Sequence, residues 1–542
     1  MKHYIEIVEV TVHLNRIFDT LINWRNFRLK LFVQGIVVGL FAGTLVSLFR
    51  FILEKSDLWL QHLYSVLRSG SPWLLLIWGL VLVFIAYLLG TIVKKQPLIK
   101  GSGIPQVKGV VSGHLEMNWF STILWKFIGG ILAIGAGLSL GREGPSIQLG
   151  AAAGQGVNRL FGGLKIEERI LITSGASAGL AAAFNAPLAG VIFALEELHK
   201  NFSPPILMSA MAASLTADFI CQHVFGVKPI FNFHTLPILP SKYYLHLIIL
   251  GLIIGVFGAF FNWSLLKTQD IYKKQTVIPQ KYLAVVPLLL SIIVGLYLPA
   301  CLGGGNKLID SISLGHFSIA ILLVLVAVKF VFTILSYGSG VPGGIFLPLL
   351  VIGALVGNIF GNAAVSLTGI SPDYVNNFVV FAMAGYFTAI VKAPITGSVL
   401  ITEMTGSFSH LLPIIIVSMA AYVASDLLKG KPIYDQLLQR ILLKKDDDFQ
   451  QGDIYKKTLL EIAICLGSDL DHRQVKDVKW PSNCLLVTIR RGEAEIIPHG
   501  NTTILAGDYL NILTNEAQAP KTNKALQRLA EAISNQNSNK LI

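Results

Sequence analysis

Long apolar runs recur along the chain, several of them close to the roughly 20 residues that a helix needs to cross a bilayer. The clearest runs are Phe32–Phe51, Trp73–Ile92, Leu245–Phe261, Tyr282–Leu298, Ile319–Leu335 and Leu411–Ala424. Other apolar runs are shorter or interrupted by Gly and Pro, which indicates broken and re-entrant helices whose freed backbone groups are buried or line a cavity. The pattern predicts an all-α polytopic membrane protein, with a membrane domain over residues 32–445.

Composition agrees with this prediction, because 53% of the residues are hydrophobic and 14% are charged, against about 25% charged in soluble domains. The net charge is +12, but the basic residues cluster beside the apolar runs, so we expect no nucleic-acid partner. The clusters favour a cytoplasmic location for both termini. Residues 1–31 lack the features of a signal peptide and are typical of a basic helix lying on the membrane surface.

Part of the apolar region repeats itself. Four positions of the first copy recur 203 residues later, namely Gly141, Pro145, Gly150 and Gly154 as Gly344, Pro348, Gly353 and Gly357. Ala186–Gly190 recurs as Ala393–Gly397, and each copy is followed by a glutamate, Glu196 or Glu403. Repeats with glycine and proline interruptions at matching positions indicate a transport site between two halves, here over about 32–270 and 283–428. These residues alone leave the relative orientation of the copies open.

Beyond Lys445 the chain changes character. A polar linker over 446–454 precedes short strand-like runs at Leu485–Ile489, Glu493–Ile497 and Tyr509–Leu513, separated by turn residues. We predict a small soluble α+β domain over 455–518. Residues 519–542 are predicted to form a polar helix, over about 521–534, and a loose tail.

The segment Gly141–Pro145 places a carboxylate, Glu143, at the start of a predicted helix within the apolar region. A helix N-terminus presents free N–H groups and a positive dipole end, which together bind anions. Glu143 could occupy that site as a tethered anion and leave it on protonation, so that proton and anion compete for one place. Alternatively, Glu143 only caps its helix or pairs with Arg142.

Three further segments supply candidate anion ligands. Gly343–Pro348 repeats the glycine-then-proline helix opening without an acid, so its backbone N–H groups either bind the anion or merely start a helix. Ser102, between two glycines, either caps a helix or donates its O–H to an anion. Tyr434 either donates a phenolic O–H or belongs to an interfacial aromatic belt.

Glu196 and Glu197 end an apolar helix, where neighbouring side chains point about 100° apart. One carboxylate could relay protons while the other forms a salt bridge; alternatively, both lie at a solvated helix end near His199 and Lys200. The sequence has no nucleophile–base pair, phosphate loop or metal-binding motif, and its cysteines are scattered. We therefore expect no enzyme activity, no cofactor and no metal.

Taken together, GSGIP at 101–105, GREGP at 141–145, GGIFLP at 343–348 and the tyrosine of KPIY at 431–434 resemble the CLC family of chloride channels and chloride/proton antiporters. The resemblance covers about residues 30–440 and implies that the repeats are inverted. It also implies a homodimer with one pore per subunit.

By this resemblance, the central chloride site comprises the hydroxyls of Ser102 and Tyr434 and the backbone N–H groups of Ile345 and Phe346. Glu143 corresponds to the external gating glutamate. The outer anion site corresponds to the backbone of three residues, namely Arg142, Gly144 and Leu347.

Glu197 corresponds to the internal proton-transfer glutamate of the exchangers, which family channels usually lack. The resemblance therefore implies exchange of chloride for protons across the membrane. The alternative is a passive voltage- or proton-gated chloride channel of the same fold.

The C-terminal segment is similar to the C-terminal domain of potassium-uptake regulators, on the strength of Ser468–Leu470 and the β-rich run Leu485–Leu513. This resemblance implies either a dimerisation module or a domain that binds a small-molecule ligand.

Overall fold

The computed structural model describes residues 24–200, 202–227, 229–231, 233, 236–315, 317–446, 457–482, 484–492, 494–515 and 519–531. The chain divides into two compact units, Met1–Leu442 and Leu443–Ile542. The predicted interfacial helix of 1–31, the linker of 446–454 and the tail beyond 531 lie wholly or largely outside the described residues.

The regular elements in the described part of the first unit are helices, joined by irregular segments. Its helices are α1 (Trp24–Ser69), α2 (Pro72–Lys95), α3 (Ile104–Val111), α4 (Trp119–Gly135), α5 (Glu143–Leu160), α6 (Lys165–Phe184), α7 (Pro187–Phe193), α8 (Pro204–Phe225), α9 (Tyr244–Lys274), α10 (Val285–Tyr297), α11 (Asn306–Leu314), α12 (Ile319–Gly338), α13 (Phe346–Thr368), α14 (Val375–Val391), α15 (Pro394–Thr405), α16 (Leu411–Leu427) and α17 (Ile433–Asp446), the last of which runs past the unit's boundary. A π-helical turn, Ala194–His199, continues α7.

Nine helical segments of the described chain are long and apolar enough to cross a bilayer. The six runs recognised in the sequence all fall within them, apart from the end residue Leu298. The other three segments, Pro204–Phe225, Phe346–Thr368 and Pro372–Val391, are more deeply buried in protein than any of these six. Between 56% and 83% of their most apolar windows is buried in protein, so their small and polar residues face other helices rather than lipid.

Several helices are too short to cross a membrane, as the glycine and proline interruptions predict. The clearest case is α3, which has 8 residues, all of them buried. Backbone contacts between helices are close at the repeated glycines: a Cβ added to Gly353 would lie 2.9 Å from the Ala382 carbonyl oxygen, and one on Gly150 would overlap the Gly175 carbonyl. Such contacts between facing helices are typical of packing in membranes.

The second unit contains an antiparallel sheet of order β1-β4-β2-β3. Its strands are β1 (Lys457–Ala463), β2 (Cys484–Arg491), β3 (Ala494–Ile496) and β4 (Tyr509–Asn515), followed by helix α18 (Ala519–Glu531). Three strands match the sequence prediction; β1, with charged Lys457 and Glu461, was missed. Leu526 and Ala530 of α18 are fully buried in the same core as the sheet.

One buried acid secures a turn of this sheet domain. Arg491 donates two hydrogen bonds to Asp508, both 2.8 Å long, and the Leu505 amide donates another of 2.9 Å. Burial raises the pKa of the Asp508 carboxyl, but these donors outweigh it and hold the pKa below its ordinary value.

Candidate functional site

Three glycine-rich segments that are distant in sequence are joined by backbone hydrogen bonds. Gly141 and Gly344 exchange two of them, of 2.7 and 2.8 Å. Gly101 donates to the Val341 carbonyl at 3.2 Å and accepts from the Gly343 amide at 3.0 Å. These links bring the N-terminal ends of α3, α5 and α13 together, so the GSGIP, GREGP and GGIFLP segments form one site.

Close approach at this junction requires glycine. Gly101 and Gly103 have φ of 67° and 94°, in the left-handed region. A Cβ on Gly144 would lie 2.7 Å from the Ser102 carbonyl oxygen, and one on Gly344 would lie 3.1 Å from the Gly144 amide nitrogen. The backbone amides at the three helix ends are therefore only a few ångströms from one another.

Ser102 is buried beside the start of α3, and its hydroxyl oxygen accepts a hydrogen bond of 3.3 Å from the Ile104 amide. The capping role considered for this residue is thus present. Because capping uses a lone pair, the O–H remains a donor. The hydroxyl of buried Tyr337, which was not recognised in the sequence, hydrogen-bonds to Ser102.

Glu143 is the first residue of α5 and is fully buried. The amides of Glu143 itself and of Leu347 are its neighbouring donors, but neither carboxylate oxygen makes a hydrogen bond of good geometry within the described residues. A Cβ on Gly141 would overlap the carboxylate. The side chain therefore occupies the space between Gly141 and Leu347 without the partners that a buried charge normally has.

The facing wall of the site comes from α13. Ile345, Phe346 and Leu347 are at most 3% exposed, and their N–H groups lie at the helix start, where amides have no intrahelical partner. The Phe346 ring packs on Phe387 with centroids 4.5 Å apart and on Phe184 at 5.3 Å. This wall is apolar except for its backbone donors.

Tyr434 enters the site from the first turn of α17. It is fully buried, and its hydroxyl has no hydrogen-bond partner in the described part of the chain. The hydroxyl is near enough to interact electrostatically with Tyr337, Glu197 and Glu143. Because the side chain is fully buried, Tyr434 is not an interfacial belt residue.

Arg142 does not form an ion pair with Glu143. Its guanidinium instead contacts Glu54 at 2.9 Å, and Glu54 also pairs with Arg50 at 2.9 Å. A cavity of about 360 Å³ adjoins this group and reaches Leu347. Arg142 thus provides a positive charge between the cavity and the buried carboxylate.

The two neighbouring acids Glu196 and Glu197 have separate environments. Glu197 is 3% exposed and forms an ion pair of 2.7 Å with Lys108, which also pairs with Asp435. Glu197 is therefore not at a solvated helix end. It lies in a buried charge cluster next to Tyr434.

Glu196 instead caps a helix of the other half. Its carboxylate accepts hydrogen bonds from the amides of Ile395 and Thr396, at 3.3 and 2.7 Å, at the start of α15. Its counterpart Glu403 accepts from the amides of Leu188 and Ala189, at 3.1 and 2.7 Å, at the start of α7. Each copy of the repeat thus supplies the carboxylate that caps the other.

The model of a known protein family, described as voltage gated chloride channel, matches residues 86–426. The chain belongs to this family. A second model, the TrkA-C domain, matches residues 459–527, which include most of β1 and most of α18.

One relative of this family member is the H(+)/Cl(−) exchange transporter ClcA of Vibrio campbellii. The two sequences are 36% identical over 433 residues, which cover 77% of this chain and 90% of that protein. ClcA of Klebsiella pneumoniae is 34% identical over 417 residues, covering 75% and 88%. The chain is an integral, multi-pass membrane protein.

Solved structures show the same fold. A slow cyanobacterial Cl⁻/H⁺ antiporter superposes with a TM-score of 0.74 at 31% identity, over 77% of this chain and 99% of that structure. A CLC-type fluoride/proton antiporter gives a TM-score of 0.60 at 25% identity, over 75% and 96%.

This family member also has two fully buried lysines that the sequence analysis missed, Lys126 and Lys329. Lys126 donates to the carbonyls of Ile99 and Gly101 at 2.9 and 2.7 Å. Lys329 does the same for Cys301 and Gly303 at 3.0 and 2.8 Å. They are 203 residues apart, the same spacing as the glycines and prolines, and that spacing was the signal that could have revealed them.

Proposed function

We propose that this protein is a secondary active transporter that exchanges chloride for protons across the membrane. The relatives named above are Cl⁻/H⁺ exchangers, and the chain spans most of their length. The observation that carries the proposal is the buried Glu143 carboxylate at the start of α5, beside the Leu347 amide and without a well-formed hydrogen bond in the described residues.

A carboxylate in this position occupies the place of a bound anion. The amides at the starts of α5 and α13 and the positive dipole ends of both helices favour one negative charge there. Either the ionised Glu143 side chain or a chloride ion supplies that charge. Protonation of Glu143 abolishes its charge and releases the site to chloride, so proton and chloride compete.

Four groups hold the central chloride in this proposal. Ser102 and Tyr434 donate their O–H groups, and Ile345 and Phe346 donate backbone N–H groups. Support comes from the burial of Ser102 at this site, with Tyr337 and the Ile104 amide as its partners, and from the Tyr434 hydroxyl lacking a partner in the described chain. Donors in an apolar setting suit a halide, which needs no acceptor.

The outer anion site lies one step nearer the 360 Å³ cavity. We assign it to the backbone around Arg142 and Gly144 and to the Leu347 amide. The Arg142 guanidinium attracts anions toward this site. We assign proton transfer between the cytoplasm and Glu143 to Glu197, the buried acid on the Tyr434 side of the site.

The decisive measurement follows both ions at once. Purified full-length protein is placed in liposomes with a chloride gradient, and chloride and proton movements are recorded together. In the wild type we expect the chloride gradient to drive protons across the membrane against their own gradient. In Glu143→Gln we expect no such proton movement. Glu116→Gln, a change at an exposed carboxylate, serves as the control and is expected to exchange normally.

The same liposomes separate exchange from the passive alternative. The reversal potential of a chloride channel equals the chloride equilibrium potential. The reversal potential of an exchanger differs from that value and changes with the proton gradient. Proton pumping that persists in Glu143→Gln would contradict the role given to this residue. A wild-type reversal potential that does not change with the pH gradient would contradict the proposed exchange of chloride for protons.

The assembly and topology belong to the same proposal. We assign a homodimer with one pore per subunit, inverted repeats, and cytoplasmic termini. The unit after Leu442 is then a cytoplasmic domain that either dimerises or binds a small ligand. The topology is tested by introducing single cysteines at positions 2 and 540 and measuring their accessibility in right-side-out and inverted vesicles. Deletion of 447–542 tests whether that unit alters ion flux or the association of subunits.

A further inference from the structure

Lys108 is an unusual side chain for the interior of this unit. It lies in α3, the short buried helix that begins two residues after Ser102, and it is 6% exposed. Its ammonium contacts two carboxylates, Glu197 at 2.7 Å and Asp435. One cation is thus shared between the acid assigned to proton transfer and the residue that follows Tyr434.

The cluster is completed by Lys200, whose ammonium contacts the other Asp435 oxygen at 2.9 Å. Lys200 is half-exposed, whereas Glu197 is almost completely buried. Two ammonium groups and two carboxylates cancel each other while Glu197 is ionised. When Glu197 takes up a proton, one positive charge is left in excess.

The other ionisable groups near Glu197 are engaged elsewhere. His199 contacts the Thr173 hydroxyl at 3.4 Å and lies near Arg169 of α6. Glu196 caps α15. The charge balance at Glu197 is therefore set mainly by Lys108, Asp435 and Lys200, with the Tyr434 hydroxyl as a polar neighbour.

This balance is connected to the anion site through the chain itself. Asp435 follows Tyr434 in the first turn of α17, and Ser102 lies two residues before the start of the helix that carries Lys108. Charges interact over longer distances in a protein interior than in water. An excess positive charge at Lys108 therefore favours chloride beside Ser102 and Tyr434.

We propose that Lys108 is a positioning residue that links proton uptake at Glu197 to chloride occupancy of the central site. A proton from the cytoplasm binds a Glu197 oxygen, and Lys108 remains an ammonium paired with Asp435. The cluster of Lys108, Lys200 and Asp435 then carries one excess positive charge, which draws chloride to the central site. When Glu197 gives up the proton toward Glu143, Lys108 pairs with it again and chloride is released. This inference rests on the proposed exchange function and assigns it a coupling element.

The test measures the pH profile of exchange and chloride affinity in the full-length protein. In Lys108→Met the ionised form of Glu197 loses its nearest cation, so the profile moves to higher pH, by about one pH unit or more. Chloride affinity at pH 7 falls several-fold. Lys108→Arg keeps the charge and remains close to the wild type in both measurements, as does Lys165→Met, a control that removes an exposed lysine.

A second variant gives a shift of opposite sign. In Asp435→Asn the Lys108 ammonium no longer shares its charge with a second carboxylate. Its interaction with ionised Glu197 becomes stronger, so the pH profile of exchange moves to lower pH. A Glu197→Gln background is expected to lose proton exchange, and there Lys108→Met no longer moves the pH profile of the remaining chloride flux, because Lys108 acts through Glu197. A purely structural role for Lys108 would lower the rate without moving the profile in either direction.

The outcomes distinguish the two proposals. If the wild type moves chloride without protons, the exchange function fails. If the wild type exchanges normally but Lys108→Met and Asp435→Asn keep its pH profile and chloride affinity, only the role of Lys108 fails. If Lys108→Met does not give folded protein in gel filtration, the direction of the Asp435→Asn shift in the pH profile alone tests the role of Lys108.

Discussion

The two halves of the membrane unit build the same local geometry but place different side chains in it. At the helix start where the first half has Glu143, the second has Phe346, 203 residues later. Where the first half has Glu197, the second has Met404, at the spacing of the Ala-Pro segments. Both acids assigned to proton transfer therefore belong to one copy, and the equivalent positions of the other are apolar.

What is common to the halves is the backbone and the groups that hold it. Lys126 and Lys329 each bind two carbonyls of a glycine loop, and Glu196 and Glu403 each cap a helix of the opposite half. The duplicated residues thus support the helix ends, whereas the unduplicated ones carry the proposed chemistry. In such a path only the first half offers a carboxylate that can bind a proton.

The largest effect is expected from making the halves alike. Phe346→Glu would place a second carboxylate opposite Glu143, inside the cluster of Phe184 and Phe387, at a cost of several kcal/mol for an unpaired buried charge. We expect loss of both chloride and proton flux, together with weaker chloride binding by calorimetry. Phe346→Leu is the matched control and should still exchange; flux retained by the glutamate variant would show that the asymmetry is dispensable.

A smaller effect is expected from the paired lysines. Lys126→Met and Lys329→Met each remove the donor of two buried carbonyls, which costs roughly 2–4 kcal/mol of stability. We expect similar falls in the thermal unfolding temperature of the purified protein. Only Lys126→Met should also weaken chloride binding, because its loop continues into Ser102. Equal losses of chloride affinity in both variants would contradict this division.

The smallest effect is expected from the exchanged caps. Glu196→Ala and Glu403→Ala each remove a carboxylate from a helix N-terminus, a change that costs about 0.5–2 kcal/mol. The two variants should lower the unfolding temperature by similar amounts. A marked inequality would mean that the halves do not depend on each other to the same degree.

The fold could be predicted to a large extent because its signals are local. Apolar runs such as Ile319–Leu335 are long enough to identify a span, and Gly141 with Pro145 marks a helix start. Pro372–Val391 was missed because protein, rather than lipid, surrounds it, so its outer surface needs less hydrophobicity. Strand β1 was missed since Lys457 and Glu461 break the apolar pattern of a strand that pairs with β4.

The candidate site was predictable only where a motif carried it. Ser102, Glu143, Phe346 and Tyr434 stand in short segments whose residues suggest anion binding, and the structure brings those segments together. The partner of Glu197 could not be predicted, because Lys108 is 89 positions away and nothing in its own segment indicates an ion pair. Such contacts depend on how helices pack, which spacing along the chain does not encode.

The exchanged caps have the form of an isologous contact, in which each partner offers the same group to the same surface of the other. Glu196 reaches Thr396 as Glu403 reaches Ala189. Such a contact needs no covalent connection between the partners. The junction thus has, within one chain, the symmetry of contact that a two-fold dimer has between its subunits.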